Sequence, residues 1–329
     1  MDRKLRAGLI GLGAMGKHHA RVLTNLEGVE LVGTFDLNSN SDLSSSKQAS
    51  SIKNLIDLGI DYAVVATPTS SHLEIGMELA SAGINALIEK PLCIDSLSAK
   101  TLTESFKNSG LIGAVGHIER YNSALQVAKN RLPQLGQIFQ IATRRQGTYP
   151  TRINDVGVIK DLATHDIDSV SWITGQDYKK VFAQVGQQVA RLHEDLVAIT
   201  ADLNNKIVVN HLVNWLSPYK ERVMVITGEN GAFLIDTLNS DLTFFENGSF
   251  TSNWESLKQF KGASEGRVTK YSFVKNEPLR LEHENFRDGL LGKRNEIVTM
   301  QEGLKVLQVV EAVIQSSQTN MACNIQYTN

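Results

Sequence analysis

Short apolar runs alternate with longer amphipathic stretches through the first third of the chain. Residues 5–10, 30–35, 62–66, 86–88 and 112–115 are such runs, continuous enough to predict strands buried on both faces. Between them, residues 15–26, 71–82 and 96–108 carry the spacing of helices with one apolar side. Strands alternating with helices predict βαβ units, and right-handed crossovers then give a doubly wound parallel sheet. Residues 38–51, rich in Ser and Asn, predict a polar loop.

After about residue 118 the texture changes. Residues 121–132 predict a helix stopped by Pro133, 137–146 a long strand and 158–174 a second helix. Alternating strands follow over 180–189, 196–203, 206–216, 222–227 and 233–236. Leu203-Asn204-Asn205-Lys206 and Gly228-Glu229-Asn230-Gly231 fall between them at hairpin spacing. Residues 279–291 and 300–316 close the chain as helices. The expected fold class is α/β: a doubly wound domain over 1–118, then an α+β domain over 119–329 with a large, mostly antiparallel open sheet.

Composition narrows the functional classes. The chain has 329 residues, two domains' worth at roughly 100–200 residues each. A net charge of −2 gives no bulk electrostatic reason to bind nucleic acid or an anionic membrane. The two cysteines, Cys93 and Cys323, lie far apart and form no CxxC, so neither a disulfide framework nor a metal site is expected. No apolar stretch reaches the ~18 residues of a membrane span, and the start of the chain does not fit a signal peptide, so the expected location is the cytoplasm.

Gly11-Leu12-Gly13-Ala14-Met15-Gly16 follows the first expected strand and opens the first expected helix. In such a turn the first glycine permits a tight bend, the second lets backbone approach a diphosphate, and the third lets helix and strand pack closely. The diphosphate then sits on free N–H groups at the helix N-terminus, so Gly11, Gly13, Ala14, Met15 and Gly16 form the expected cofactor cradle. Asp36 ends the second expected strand, twenty residues after Gly16. A carboxylate there accepts ribose hydroxyls and repels a 2′-phosphate, which favours NAD over NADP.

Two further groups carry candidate chemistry. Glu89-Lys90-Pro91 ends a strand of the parallel sheet, where ligands of open α/β sheets bind. Asp161 and His165 stand at i and i+4 of an expected helix, so a carboxylate would orient an imidazole suited to removing a hydroxyl proton.

Gly11–Gly16, Asp36, the segment from Ala66 through Thr67 and Pro68 to His72, Glu89-Lys90-Pro91 and Asp161 to His165 together resemble the Gfo/Idh/MocA oxidoreductases, over essentially the whole chain. The resemblance implies a Rossmann domain followed by an α/β domain whose open sheet commonly forms a homodimer or homotetramer interface. It implies that Thr67, Pro68, His72, Glu89 and Lys90 line the cofactor. It gives Lys90, Asp161 and His165 the catalytic roles, with hydride passing between nicotinamide and a carbinol carbon of a sugar or cyclitol.

Residues 115–122 and 145–158 are similar to one subgroup, which acts at C3 of UDP-N-acetylglucosamine. That subgroup has proline where this chain has Thr148. Arg120, Arg145 and Arg152 suit a diphosphate, Tyr149 suits a uracil or sugar face, and His165 completes the expected substrate set. The alternatives are an inositol or free-sugar dehydrogenase of the same family and, in another class, a non-catalytic NAD-binding sensor. Lys90 and His165 argue against the sensor, which would be expected to lack one of them.

Overall fold

The computed structural model describes residues 3–37, 47–150, 156–189, 192–248 and 264–328. It divides into two compact units, one of residues 1–118 with 277–308 and the other of residues 119–276 with 309–329.

In the first unit, β1 (Leu5–Ile10) leads through α1 (Ala14–Thr24) to β2 (Val29–Phe35) and the short β3 (Lys47–Gln48). Helix α2 (Ile52–Asp57) then precedes β4 (Tyr62–Val65), α3 (His72–Ser81), β5 (Asn85–Glu89), α4 (Ser96–Asn108) and β6 (Gly113–Gly116). All the strand pairs are parallel, in the order β3-β2-β1-β4-β5-β6. The order reverses between β1 and β4, the position at which such sheets bind ligands beyond their carboxyl ends. Ala7, Leu9, Tyr62, Val64 and Leu87 are buried on one face and Ile10, Ala63, Val65 and Ile88 on the other, as the unbroken apolar runs require. Ser51 caps α2 and Asp95 caps α4 through their side chains; α1 begins at Gly13 with no side-chain cap.

The second unit starts with α5 (Ser123–Arg131) and β7 (Ile138–Thr148). A π-helical turn, Ile159–Ala163, runs straight into α6 (Thr164–Thr174). The sheet continues with β8 (Tyr178–Gly186), β9 (Leu196–Leu203), β10 (Val208–Asn214), β11 (Leu216–Gly228), β12 (Gly231–Asp236), β13 (Asp241–Gly248), β14 (Ser264–Lys270) and, from the chain end, β15 (Cys323–Asn324). Among the described residues the order is β14-β13-β12-β11-β7-β10-β9-β8-β15, and β7 with β10 is the one parallel pair. Gly228 pairs directly with Gly231, so that hairpin turns on two residues. On one face Ile141, Val209, His211 and Val213 are buried. The other carries Ala198, Leu212, Arg144 and Val223 in one cross-strand row, and Thr200, Asn210, Ala142, Val225 and Leu234 in the next.

After β14 come α7 (Pro278–Leu290) and α8 (Met300–Thr319). The expectation of a continuous second domain over 119–329 is corrected, because residues 277–308 belong to the first unit. Phe286 of α7 lies in the first core, edge-on to Tyr62 with ring centroids 5.3 Å apart. An apolar helix stripe records that a sheet is covered but not which one. The short or polar elements α2, β3, β13, β14 and β15 had no counterpart in the apolar pattern. Most of the expected loop at 38–51 lies outside the described residues.

Candidate functional site

The three glycines of the first turn do separate jobs. Gly11 has φ of 95°, and a Cβ there would lie 2.5 Å from the Ala66 carbonyl oxygen. A Cβ on Gly16 would overlap the Gly11 carbonyl oxygen, so α1 can approach β1 only with glycine at that position. A Cβ on Gly13 would meet nothing within 4 Å. The first and third glycines thus serve the fold, and the second keeps space open in front of an uncapped helix end. Asp36 faces the same turn, accepting the Leu12 N–H on Oδ2 at 2.5 Å, while the Gly11 N–H donates to the Phe35 carbonyl at 2.8 Å. An open cradle, free backbone donors and a carboxylate at the end of β2 fit a dinucleotide with unphosphorylated ribose. Ala14 is exposed and Met15 half-buried at the same helix end.

Around the rest of this edge the expected residues divide. Pro68 is exposed and Thr67 half-buried in the segment after β4. His72 is buried, with Nδ1 3.0 Å from the Pro91 carbonyl and Nε2 3.0 Å from the Thr67 carbonyl. It therefore ties two loops together. A neutral imidazole can donate to one of these carbonyls, and burial, the dominant influence, holds its pKa below the usual range. Lys90, half-buried, follows β5 with a cis bond to Pro91. Glu89 also turns inward. Its Oε1 lies 2.9 Å from His19 Nε2, and its Oε2 accepts the Lys90 N–H at 3.1 Å. Burial alone would raise the Glu89 pKa, but the hydrogen bond to His19, together with Lys90, brings it below the usual carboxylate range. Neither carboxyl oxygen of the fully buried Glu282 has a hydrogen-bond partner among the described residues. Desolvation, with the Glu89 charge nearby, pushes its pKa well up.

In the second unit Asp161 and His165 are both half-buried, and the turn that carries Asp161 is π-helical, not α-helical as the i,i+4 spacing predicted. Such single π turns recur at functional sites. Glu194 fixes the start of this turn: its Oε1 accepts the Ile159 N–H at 3.1 Å and its carbonyl accepts the Val158 N–H at 3.0 Å. A Cβ on Gly157 would overlap that carboxylate.

The arginines expected to meet a diphosphate have internal partners instead. Arg120 is buried and forks onto both oxygens of Asp168, with contacts of 2.7–3.1 Å. Arg145 is buried between Glu119 at 2.9 Å and Asp166 at 3.0 Å. Burial opposes its charge, but those two carboxylates hold its pKa above the usual value. Tyr149 stands edge-on to Trp215 with centroids 5.7 Å apart. Arg152 lies outside the described residues. His19, Asp168, Glu194, Glu282 and His283 were not singled out from the sequence. For His19 a signal existed, because it shares the buried side of α1 with Gly16, Ala20 and Leu23.

A doubly wound sheet with an open glycine cradle and a carboxylate at the end of β2 defines a dinucleotide-binding oxidoreductase domain. Family comparison agrees at both ends of the chain. Residues 5–117 match the oxidoreductase-family NAD-binding Rossmann fold, and residues 132–325 match the C-terminal α/β domain of the same family. The chain belongs to the Gfo/Idh/MocA oxidoreductase family. A UDP-N-acetylglucosamine 3-dehydrogenase of Acidithiobacillus ferrooxidans is 27% identical over 326 residues, covering 94% of this chain and 99% of the relative. A solved structure of that enzyme superposes with a TM-score of 0.85 at 26% identity, covering 97% of this chain and 99% of that one. A scyllo-inositol 2-dehydrogenase (NAD(+)) of Bacillus subtilis is 29% identical over 196 residues, 55% of this chain and 57% of the relative. No helix among the described residues is long and apolar enough to cross a membrane.

The glycines give opposite expectations. Gly13→Val should keep the melting temperature within about 2 °C and weaken NAD binding at least about tenfold, roughly 1.4 kcal/mol. Gly16→Ala should lower the melting temperature even without NAD. Calorimetry with parallel thermal melts checks both, and equal NAD affinity in Gly13→Val sinks the assignment. Glu282 gives a pH-dependent expectation. Its folded pKa is raised, so from about pH 4.5 upward the unfolded chain gives up a proton that the native state keeps, and stability falls as pH rises. Glu282→Gln removes that slope, so its gain over the parent in denaturant melts should be larger at pH 8 than at pH 5. A pH-independent difference would refute it.

Proposed function

We propose that this protein is an NAD-dependent dehydrogenase acting on a carbinol carbon of a sugar nucleotide, with C3 of UDP-N-acetylglucosamine as the leading substrate. Match along both chains carries the substrate reading: the Acidithiobacillus ferrooxidans enzyme is covered over 99% of its length. Asp36 at the end of β2 supports NAD over NADP, because its charge opposes a 2′-phosphate. Bound NAD supplies the hydride acceptor. The chain's own residues bind the diphosphate at the α1 end, hold the ribose and manage the proton. An imidazole titrates near neutral pH and a lysine does not, so His165, oriented by Asp161, takes the substrate hydroxyl proton. The Lys90 ammonium stabilises the developing alkoxide. Thr67 and Pro68 take the roles along the cofactor that the family resemblance implies, and Tyr149 suits a uracil or sugar face.

One observation favours a second reading. Arg120 and Arg145 are held by buried carboxylates, so the two described arginines expected to grip a diphosphate are committed elsewhere. A polyol without phosphate, such as an inositol, needs neither.

We also propose self-association through the outer face of the nine-stranded sheet. Leu212, Val223, Val225 and Leu234 share that face, and Leu212 is exposed. Apolar side chains interspersed with Arg144, Thr200 and Asn210 on such a face suit an interaction surface.

A thermal-shift screen with saturating NAD tests the substrate. UDP-N-acetylglucosamine should raise the melting temperature above that of the NAD complex, and myo-inositol should not; the reverse result replaces the first reading by the second. With the substrate so found, Lys90→Met and His165→Asn should each lower kcat by about 10²–10⁴-fold, with NAD affinity unchanged in His165→Asn, and full turnover in both would remove the mechanism. Sedimentation should show a dimer or larger assembly that Leu212→Lys shifts toward monomer. A monomeric parent protein at tens of micromolar contradicts the interface.

A further inference from the structure

We propose that His19 is a positioning residue for Lys90, acting through the Glu89 carboxylate and backed by His283. The proposal rests on the role given to Lys90 above, and all the groups lie in the first unit. His19 Nε2 is 2.9 Å from Glu89 Oε1, and His19 Nδ1 is 2.8 Å from His283 Nε2. The other Glu89 oxygen accepts the Lys90 N–H at 3.1 Å. His19 is 0% exposed and His283 1%, so neither ring exchanges its partner for water.

Hydrogen-bond logic sets the direction of this line. A carboxylate accepts only, so His19 presents Nε2–H to Glu89. A neutral His19 then has a lone pair at Nδ1, and His283 must present Nε2–H to it. Each imidazole donates toward Glu89, and each bond polarises the next. His283 Nδ1 ends the line with no hydrogen-bond partner among the described residues. The two rings stand edge to face, 83° apart with centroids separated by 5.0 Å.

The line joins two parts of the dinucleotide machinery. His19 sits on α1, less than one turn beyond Gly16, and α1 offers its N-terminus to the diphosphate. Glu89 ends β5 and fixes the backbone of the residue that follows it. The helix that receives the cofactor is therefore bonded to the strand end that presents Lys90. Two imidazoles and a carboxylate buried for packing alone would be a poor choice, because apolar side chains of similar volume fill a core at lower cost. The groups facing Glu89 are His19 from α1, His72 from α3, Glu282 from α7 and the adjacent Lys90. Of these, His19 does most to keep Glu89 ionised. Without it Glu89 takes up a proton at higher pH, and the acid limb of kcat/KM moves upward.

The test uses the full-length protein with NAD⁺ and whichever of UDP-N-acetylglucosamine or myo-inositol it turns over. His19→Leu should lower kcat about 10²-fold with KM for NAD⁺ within about threefold, and should move the acid limb up by about one pH unit. His19→Gln keeps an N–H for Glu89 and should recover kcat to within about tenfold of the parent. His283→Leu should fall between the two, and it carries the kinetic test if His19→Leu fails to fold. Nitrogen-15 spectra of histidine-labelled protein read the same line without substrate and should show His19 protonated at Nε2. An Nδ1–H tautomer for His19 overturns the proposal. So do folded His19→Leu and His283→Leu variants whose kcat and pH profile superimpose on the parent's. Lys90→Met separates the two readings: if it keeps full turnover, the role of Lys90 and this proposal fall together. If it is inactive while His19→Leu is unaffected, only this proposal falls.

Discussion

The approach of α1 to β1 is the constraint from which the first unit is built. A Cβ on Gly16 would overlap the Gly11 carbonyl oxygen, so the helix can start where it does only because residue 16 is glycine. That contact fixes the helix axis, and three consequences follow from the axis. The free N–H groups of the first turn point at the space kept open over Gly13. Leu12 comes within hydrogen-bond reach of Asp36. His19 is carried inward to Glu89 and His283 instead of out to solvent. A shift of one ångström in α1 would weaken all three together, since hydrogen bonds are made or lost over that distance.

Both units bury ionisable groups, and they resolve the cost differently. In the second unit Arg120 meets Asp168, and Arg145 lies between Glu119 and Asp166. Opposite charges satisfy one another there, and losing one partner would strand the other. In the first unit Glu89 has an imidazole and a backbone donor, while Glu282 has neither among the described residues and burial pushes its pKa well up. Two carboxylates close together in an apolar interior are accommodated when one is ionised and one is not.

The parallel sheet was legible because its strands are short, unbroken and apolar. Residues 5–10 and 96–108, read from the sequence, coincide with β1 and α4. Strands β13 and β14 were not legible, because Asp241–Gly248 and Ser264–Lys270 mix polar and apolar residues without a regular period. Asp36 could be placed because the motif fixes its spacing from the glycines. His19 could not, because a histidine on an apolar helix side does not announce a partner seventy residues away. The partners of the arginines were hidden for a related reason. Charge at 120 and 145 is plain in the sequence, but the carboxylates that absorb it, Asp168 and Glu119, come from other elements. The π-helical turn was also invisible, since the pattern over 158–174 reads as a single helix.

That turn bears on how Asp161 and His165 work. Five residues in a wider helix, anchored at their start by Glu194 and continuing directly into α6, set where Asp161 stands relative to the imidazole. The anchor needs Gly157, because any side chain there would displace the Glu194 carboxylate. Asp161 thus stands on a π-helical turn anchored by one carboxylate, with His165 just beyond it in α6, and Lys90 follows a strand end held by another. In both cases a buried or half-buried acid grips backbone N–H groups and so fixes the root from which a neighbouring side chain extends. Positioning of this kind acts through the main chain and not through the positioned side chain's own hydrogen-bonding groups.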